Sequence, residues 1–341
     1  MSSAPVTAAR TTAAQAQLSV RRAIRHCLRD LPRDAPVLVA CSGGADSLAL
    51  AAAAALESSE RPTGAVIVDH GLQVGSAEVA DAAAARCRSW GLDPVIVMAV
   101  SPARGPGAGG PEAAARHARR AALSAAADEV GARALLLGHT RDDQAETVLL
   151  RLARGSGARA LSGMAAVDGL WRRPLLDLPR DLVRASLEGV PAWSDPHNDD
   201  PRYARVRVRR DVLPALVDGL GPAVVDSLAR SARLLRDDAD ALDSWADREW
   251  QRLGTCGGEV DWEIDDLVAL PRAVRTRLLR RACLWCGSPA TDLTADHVES
   301  AEALVSDWHG QGALAMPGGV AVVRRYGRLS VQPPRGSESG R

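Results

Sequence analysis

A chain of 341 residues with 46% hydrophobic side chains can bury the cores of two ordinary domains, which excludes disorder as the whole answer. Its 42 basic and 42 acidic residues cancel, so any polyanion must be met by a local patch and not by the field of the whole protein. The sequence contains no lysine, so a Walker-type phosphate loop, a Schiff-base enzyme and a protein kinase are all excluded.

The elements are taken in chain order. Arg10, Arg21, Arg22, Arg25 and Arg29 precede the first acid, Asp30, and superficially look like a transit peptide. Leu18, Ile24 and Leu28 read better as an ordinary first helix behind a loose Ala/Thr tail at 1–19, so a cytoplasmic protein is expected. Val37 to Ala40, Ala65 to Val68, Pro94 to Val100 and Ala134 to Leu137 read as strands, each followed by a helix-length stretch. Continuous apolar strands alternating with helices predict an α/β domain, a doubly wound parallel sheet covered on both faces, over residues 20–219. The Pro/Gly-rich stretch from Ser101 to Pro111 reads as a mobile loop near the working edge of that sheet. From Gly221 to Leu253 the pattern is one long helix with Val224, Leu228, Leu235, Leu242 and Trp245 on one face. It reads as a connector opening a smaller α+β domain at 220–332, with helices at Arg272 to Ala282 and Leu293 to Leu304. A strand pair then turns at Pro317-Gly318-Gly319, and a disordered tail is expected at 333–341. Trp245, Trp250, Trp262 and Trp308 are expected in the core of this second domain. Six cysteines are too sparse for a disulfide scaffold, and no apolar run approaches the roughly 18 residues of a membrane span, so no membrane partner is expected.

The strongest local signal is Ser42-Gly43-Gly44-Ala45-Asp46-Ser47, directly after the first strand and directly before a helix. Two glycines let the backbone approach a phosphate, and the amides of the helix N-terminus point at it. Ser42 and Ser47 add hydroxyl donors, and Asp46 can hold Mg²⁺ or orient an attacking group. The same six residues also suit a tight strand-to-helix turn with an Asp near the cap. Cys283-Leu284-Trp285-Cys286 is a single CxxC, too few ligands for a tetrahedral thiolate site, and its flanks suggest a packed helix. Cys41 reads as the end of a buried strand.

The six-residue loop resembles the signature of the PP-loop ATP pyrophosphatases, whose fold is adenine nucleotide alpha hydrolase-like. Further blocks narrow the resemblance: Val68-Asp69-His70-Gly71-Leu72 with Ser76, then Glu112 with Arg116 and Arg119, then Gly138-His139-Thr140-Arg141-Asp142-Asp143-Gln144-Ala145-Glu146-Thr147. Leu152-Ala153-Arg154-Gly155-Ser156-Gly157, Leu161-Ser162-Gly163-Met164, Arg173-Pro174-Leu175-Leu176, and Trp193 with Asp195-Pro196 and Asn198 continue it. Together these blocks are similar to tRNA(Ile)-lysidine synthetases, in order from about residue 35 to residue 215.

The resemblance implies an enzyme that adenylates O2 of the wobble cytidine in tRNA(Ile) with a CAU anticodon, using ATP and Mg²⁺. Free L-lysine then displaces AMP at C2. It further implies that Ser42, Gly43, Gly44, Ala45, Asp46 and Ser47 bind the pyrophosphate and Mg²⁺ of ATP, and that Asp69 meets its nucleoside. His139 is implied as partner to ATP or the cytidine, with Asp142 and Gln144 as supports. Asp143 and Glu146, three apart on a helix, would replace the hydration of the lysine cation and accept a proton, with Glu112 beside them. Asp46, His139, Asp143 and Glu146 make the expected catalytic set. Zinc ligation by His139, Asp142, Asp143 or Glu146 lacks a second histidine at ligand spacing, and Thr140 or Asp142 also suits a helix cap. For tRNA, Arg116, Arg119, Arg154, Trp193, Arg205, Arg207 and Arg209 are expected, the last three in an arginine-rich run, Arg202 to Arg210, with Tyr203 inside it. The spacing of Arg205, Arg207 and Arg209 fits an alternating strand with its basic residues on one side. Val206 stands where the family pattern has Asn. A role for the second domain in gripping tRNA follows by analogy alone, and a homodimer is left open. A PP-loop tRNA sulfur transferase and a tRNA-binding module that has lost catalysis are the alternatives.

Overall fold

The computed structural model describes residues 12–69, 71, 75–100, 111–155, 157–195, 199–255 and 258–334, and of 111–113 the backbone only. The loop expected at 101–111, apart from its last residue, and the side chain of Glu112 lie outside the described residues, as does 335–341 of the expected tail. Helix α1 (Ala13–Cys27) starts well inside the tail expected at 1–19, because Thr12 and Gln15 form a reciprocal capping box that satisfies two amides at its start.

The chain then alternates strand and helix: β1 (Val37–Ala40), α2 (Ala45–Ala55), β2 (Thr63–Asp69), α3 (Ser76–Ser89), β3 (Val95–Ala99), α4 (Pro111–Glu129), β4 (Ala134–Leu136), α5 (Arg141–Leu152), with the short α6 (Ala158–Leu161) after it. The four expected strands are all present. Two strands of two residues each, β5 (Val167–Asp168) and β6 (Trp171–Arg172), were too short to leave a periodic signal. The sheet order is β3-β2-β1-β4-β6-β5, parallel except for β5. The chain runs from β1 outward through β2 to β3 and then returns to the other side of β1 with β4. The switch point therefore lies between β1 and β4, outside whose carboxyl ends a ligand of an open α/β sheet belongs. Val39 faces Ala65 on one side and Leu136 on the other, and all three are fully buried. Helix α2 buries Leu48, Ala49, Leu50, Ala51, Ala53 and Ala54, and its small side chains bring its backbone close to the sheet.

That close approach has a counterpart at Gly138, just after β4. A Cβ there would stand 3.1 Å from the carbonyl oxygen of Asp46 and 3.2 Å from the Cα of Ser47. Gly138→Ala is expected to push the loop outward, at a cost of about 1–3 kcal/mol for overpacking, with weaker nucleotide binding read by equilibrium titration. Unchanged binding and stability would show that the contact is slack.

The chain divides into two units, 1–236 and 237–341. The division falls inside helix α10 (Val224–Leu253) and not ahead of it at 219/220, where the composition changes. The cause is packing: Val225 and Leu228 join the cluster of Ala145, Val208 and Leu213, and Arg236 donates to the carbonyls of Ser162 and Gly163 at 3.0 and 2.7 Å. The first turns of α10 thus belong to the first unit.

In the second unit β7 (Val260–Glu263), β8 (Leu314–Ala315), β9 (Ala321–Arg325) and β10 (Arg328–Gln332) form an antiparallel sheet in the order β7-β10-β9-β8. Helices α11 (Ile264–Val268), α12 (Arg272–Trp285) and α13 (Ala295–Ser306) accompany it. The turn at Pro317–Gly319 joins β8 to β9 as expected, and a second hairpin at Tyr326-Gly327 joins β9 to β10. Trp250 and Trp262 meet edge to face at 5.6 Å in the core, with Trp245 packed against it. Trp308 corrects the core expectation: it is 45% exposed and lies under the Arg324 guanidinium at 4.8 Å. Among the described residues no single helix is long and apolar enough to cross a membrane.

Candidate active site

Cys41 leaves β1 into the six-residue turn, where Gly43 at φ +80° reverses the chain without a Cβ penalty and Gly44 caps α2. The Ser47 hydroxyl closes the turn on itself: it accepts from the Ser42 amide at 3.1 Å and donates to the Gly44 carbonyl at 2.9 Å. Ser47 is therefore spent on loop shape, and the Ser42 hydroxyl donates to it at 3.1 Å, so the α2 N-terminal amides are what an anion would meet first, with Ser42 able to turn toward it. Gly43 faces away from that side. Its carbonyl accepts the Trp193 amide at 3.0 Å, and it borders a separate groove of about 240 Å³.

The other side of the loop opens on a cavity of about 580 Å³ at the β1/β4 switch point. Ser42, Gly44, Ala45, Asp46 and Ser47 form one wall. Asp69 enters from the end of β2, its Oδ1 accepting the Gly71 amide at 2.9 Å. His139 enters after β4, and its buried Nδ1 has no hydrogen-bond partner among the described residues. Burial, against the pull of Asp143, pushes His139 down to about 4, so the ring is neutral at physiological pH. Trp193, expected to meet tRNA, lines the same cavity beside the loop.

Asp143 and Glu146 lie on α5, whose first turn is locked by Thr140: its amide and hydroxyl both donate to Asp143 Oδ2 at 2.8 Å. The expected helix cap is therefore present and coexists with the carboxylate's other contacts. Three arginines converge on the remaining oxygens. Arg180, from α7 (Arg180–Ala185), donates to Asp143 Oδ1 and Glu146 Oε1, both at 3.0 Å. Arg205 reaches Glu146 Oε2 at 2.7 Å and Arg209 reaches Glu146 Oε1 at 2.7 Å. Arg180 also comes within 3.8 Å of Asp46, and Arg184 within 3.4 Å, so one guanidinium ties the loop aspartate to the α5 pair. Asp143 lines the cavity, whereas Glu146 is fully buried behind it. Asp142 and Gln144 do not serve His139. Asp142 accepts the Arg180 amide at 2.8 Å, and Gln144 exchanges two hydrogen bonds with the Met164 backbone.

The arginine-rich run is a helix and not an alternating strand: α8 (Ala204–Arg207) continues through a π-turn over Val208–Val212 into α9 (Leu213–Leu220). On a helix Arg205 and Arg209, four apart, share a face, and that face turns inward onto α5. Arg207 points elsewhere and donates to the carbonyls of Pro201 and Arg202 at 2.6 and 2.9 Å. Val206 is buried, which suits an aliphatic side chain where the family pattern has Asn. Arg116, Arg119 and Arg154 are exposed, and Arg119 also borders the cavity. Arg180 and Arg184 were not singled out from the sequence, since an isolated arginine two positions into Leu178-Pro179-Arg180 carries no periodic or motif signal of burial.

Burial pushes the Asp143 carboxyl up, but Arg180 and Arg205 outweigh it and hold it at about 2. Glu146 is also lowered, burial being outweighed by Arg209, Arg205 and Arg180. Asp46 moves the other way, since burial outweighs Arg184 and Arg180. Carboxyls depressed below their unfolded values, about 3.9 for Asp and 4.3 for Glu, stabilise the fold above that range and lose the contribution as pH falls toward 2. Acid unfolding followed by circular dichroism is therefore expected to leave the first unit folded at pH 5, and an early transition near pH 5 would show that the cluster is not ionised as described.

No group of three or more His, Cys, Asp or Glu among the described residues could hold a metal ion by itself. In the second unit Cys283 and Cys286 are buried on and just after α12, and burial pushes Cys283 up to about 11 and Cys286 upward. Thiols held protonated are poor nucleophiles and poor ligands.

A model of the PP-loop domain matches residues 16–216, in agreement with the loop at the switch point, and the first unit is of that class. A model of the TilS substrate binding domain matches residues 263–330. The tRNA(Ile)-lysidine synthase of Thermobifida fusca is 55% identical over 316 residues, covering 92% of this chain and 96% of the relative. That of Streptomyces coelicolor is 53% identical over 309 residues, covering 89% and 86%. The chain belongs to the tRNA(Ile)-lysidine synthase family, ligases built on a PP-loop domain. Among solved structures a U34-tRNA thiolase from Methanococcus maripaludis shares the fold, with a TM-score of 0.52 and 22% identity over 64% of this chain and 80% of that one.

Proposed function

We propose that the chain ligates free L-lysine to C2 of the wobble cytidine of tRNA(Ile) with a CAU anticodon, through a cytidine adenylated at O2, converting ATP to AMP and diphosphate. Codon reading would change from AUG to AUA and amino-acid identity from methionine to isoleucine. The observation that carries this reading is one cavity that joins a lysine-free phosphate loop, Asp46, a neutral His139 and the Asp143 carboxylate.

In this reading the α2 amides and Ser42 hold the triphosphate, and Asp69 meets the nucleoside. Asp46 is one carboxylate at the loop, which fits Mg²⁺, an ion that usually takes one or two protein carboxylates and completes its shell with phosphate oxygens and water. When bound, Mg²⁺ supplies charge neutralisation for the departing diphosphate. The neutral His139 offers a hydrogen bond to nucleotide or cytidine without adding charge. Asp143, at the cavity wall, holds the lysine ammonium with Glu146 behind it, and Glu112 is the further carboxylate proposed for that cation. A carboxyl kept near 2 suits holding a cation better than taking its proton. Arg205 and Arg209, with side chains 34% and 31% exposed, are the partners that can yield to the incoming ammonium, whereas Arg180 at 10% is interior. Arg116, Arg119, Arg154 and Arg207 contact tRNA phosphates, and the domain at 263–330 takes part in holding the tRNA. The buried, protonated Cys283 and Cys286 argue against sulfur transfer.

The test incubates the protein with ATP, Mg²⁺, radiolabelled lysine and a CAU-anticodon isoleucine transcript. Label that survives mild alkaline deacylation, and that a methionine CAU tRNA does not acquire, is the expected result. Label lost to alkali would mean aminoacylation, and no diphosphate release with tRNA present would mean a binding module without catalysis.

A further inference from the structure

The residue just ahead of the loop is a cysteine, and it has a second cysteine beside it. Cys41 is 2% exposed yet lines the 580 Å³ cavity, its amide held by the Val66 carbonyl at 2.9 Å and its Sγ 4.0 Å from the Ser47 hydroxyl that closes the loop. Cys87, in the last turn of α3, is fully buried in the same core cluster, with its thiol close enough to that of Cys41 to set its ionisation. The proposed ligation assigns no step to either cysteine.

We propose that Cys41 and Cys87 are an oxidisable dithiol in the wall of the nucleotide cavity, which hydrogen peroxide converts to a disulfide that disables the phosphate loop.

The chemistry of the pair favours this. The neighbouring Cys87 thiol outweighs burial and, with the Gly43 amide and the Ser47 hydroxyl, brings Cys41 down to about 7, while Cys41 and burial push Cys87 up. Cys41 is thus the attacking sulfur; its oxidation removes the neighbouring thiolate that holds the Cys87 proton, which lets Cys87 act as the resolving sulfur. The Cys41 thiolate attacks one oxygen of peroxide, the O–O bond breaks, hydroxide leaves and Cys41 becomes a sulfenic acid. The Cys87 sulfur then attacks the Cys41 sulfur, and the sulfenic oxygen leaves as water with the Cys87 proton. Two thiols and one peroxide give one disulfide and two waters. The new bond draws Cys41 toward α3 and away from Ser47, whose hydroxyl holds Ser42 and Gly44 in place. A nucleotide in the cavity would cover Cys41 and slow the first step.

The experiment treats the full chain with hydrogen peroxide, with and without ATP, and maps its peptides without reduction. A Cys41–Cys87 cross-link is expected, with diphosphate release about 100-fold slower, the scale of an ångström-sized misplacement of positioning groups. Dithiothreitol should restore the rate, and ATP should protect it. Cys87→Ala, which lies outside the reaction machinery, should keep its basal rate and form no cross-link, leaving a Cys41 sulfenic acid that dimedone traps. Free Cys41 and Cys87 thiols in peroxide-treated wild type, or a cross-linked protein of undiminished rate, would overturn the proposal. It rests on ATP occupying this cavity: the peptide map needs no nucleotide, whereas failure of untreated protein to bind ATP would sink the earlier reading alone.

Discussion

Arg180→Ala is expected to destabilise the first unit by about 3–5 kcal/mol, the range for removing one partner of a buried ion pair. Its guanidinium is one of three that hold Asp143 and Glu146, and its side chain is only 10% exposed. Deleting it strands two carboxylates in a setting that burial already penalises, and Arg205 and Arg209, each about a third exposed, are more screened by water. Arg180→Lys should recover part of the loss, because an ammonium keeps the charge but cannot span Asp143, Glu146 and Asp46 with a planar fork. Urea denaturation at pH 7 reads both variants. A loss below about 1 kcal/mol, the scale of exposed pairs, would show that Arg205 and Arg209 carry the cluster without it.

Asp46→Asn is expected to leave stability almost unchanged and to slow diphosphate release by about 100- to 1000-fold, the scale on which one group aimed at developing charge acts. The amide keeps the shape of the carboxylate, and its weak ion pairs with Arg184 and Arg180 span 3.4 and 3.8 Å. What it removes is the one charge of the Ser42–Ser47 loop, the carboxylate proposed to hold Mg²⁺. The defect should therefore appear in kcat and in the Mg²⁺ dependence, with the urea midpoint near that of wild type. A rate within tenfold of wild type would move the metal site away from the loop.

The two substitutions divide the site by the kind of information that reveals it. The loop, the four principal strands and the position of Asp69 and His139 at strand ends follow from patterns a few residues long: apolar runs, paired glycines and helix starts. The Trp308 expectation failed because a lone aromatic near a chain end has no pattern to place it, and Arg324 supplied a surface partner instead. The reading of Arg205, Arg207 and Arg209 failed for a related reason. A basic residue at every second position suits a strand, yet Val206, Val208 and Leu213 are buried, Val208 and Leu213 in a cluster with Ala145 of α5, and the segment winds as a helix.

By itself the sequence determined that a phosphate loop follows the first strand of a parallel sheet, that no lysine serves it, and that α5 presents two carboxylates three residues apart. Each of these is written in neighbouring residues, whose backbone preferences act locally. Only the tertiary structure decided what those carboxylates touch. Arg180, Arg205 and Arg209 reach Glu146 from 34, 59 and 63 positions along the chain. Such contacts are set by how α5, α7 and the α8 segment pack, and the burial that makes their charges matter arises only in the packed state.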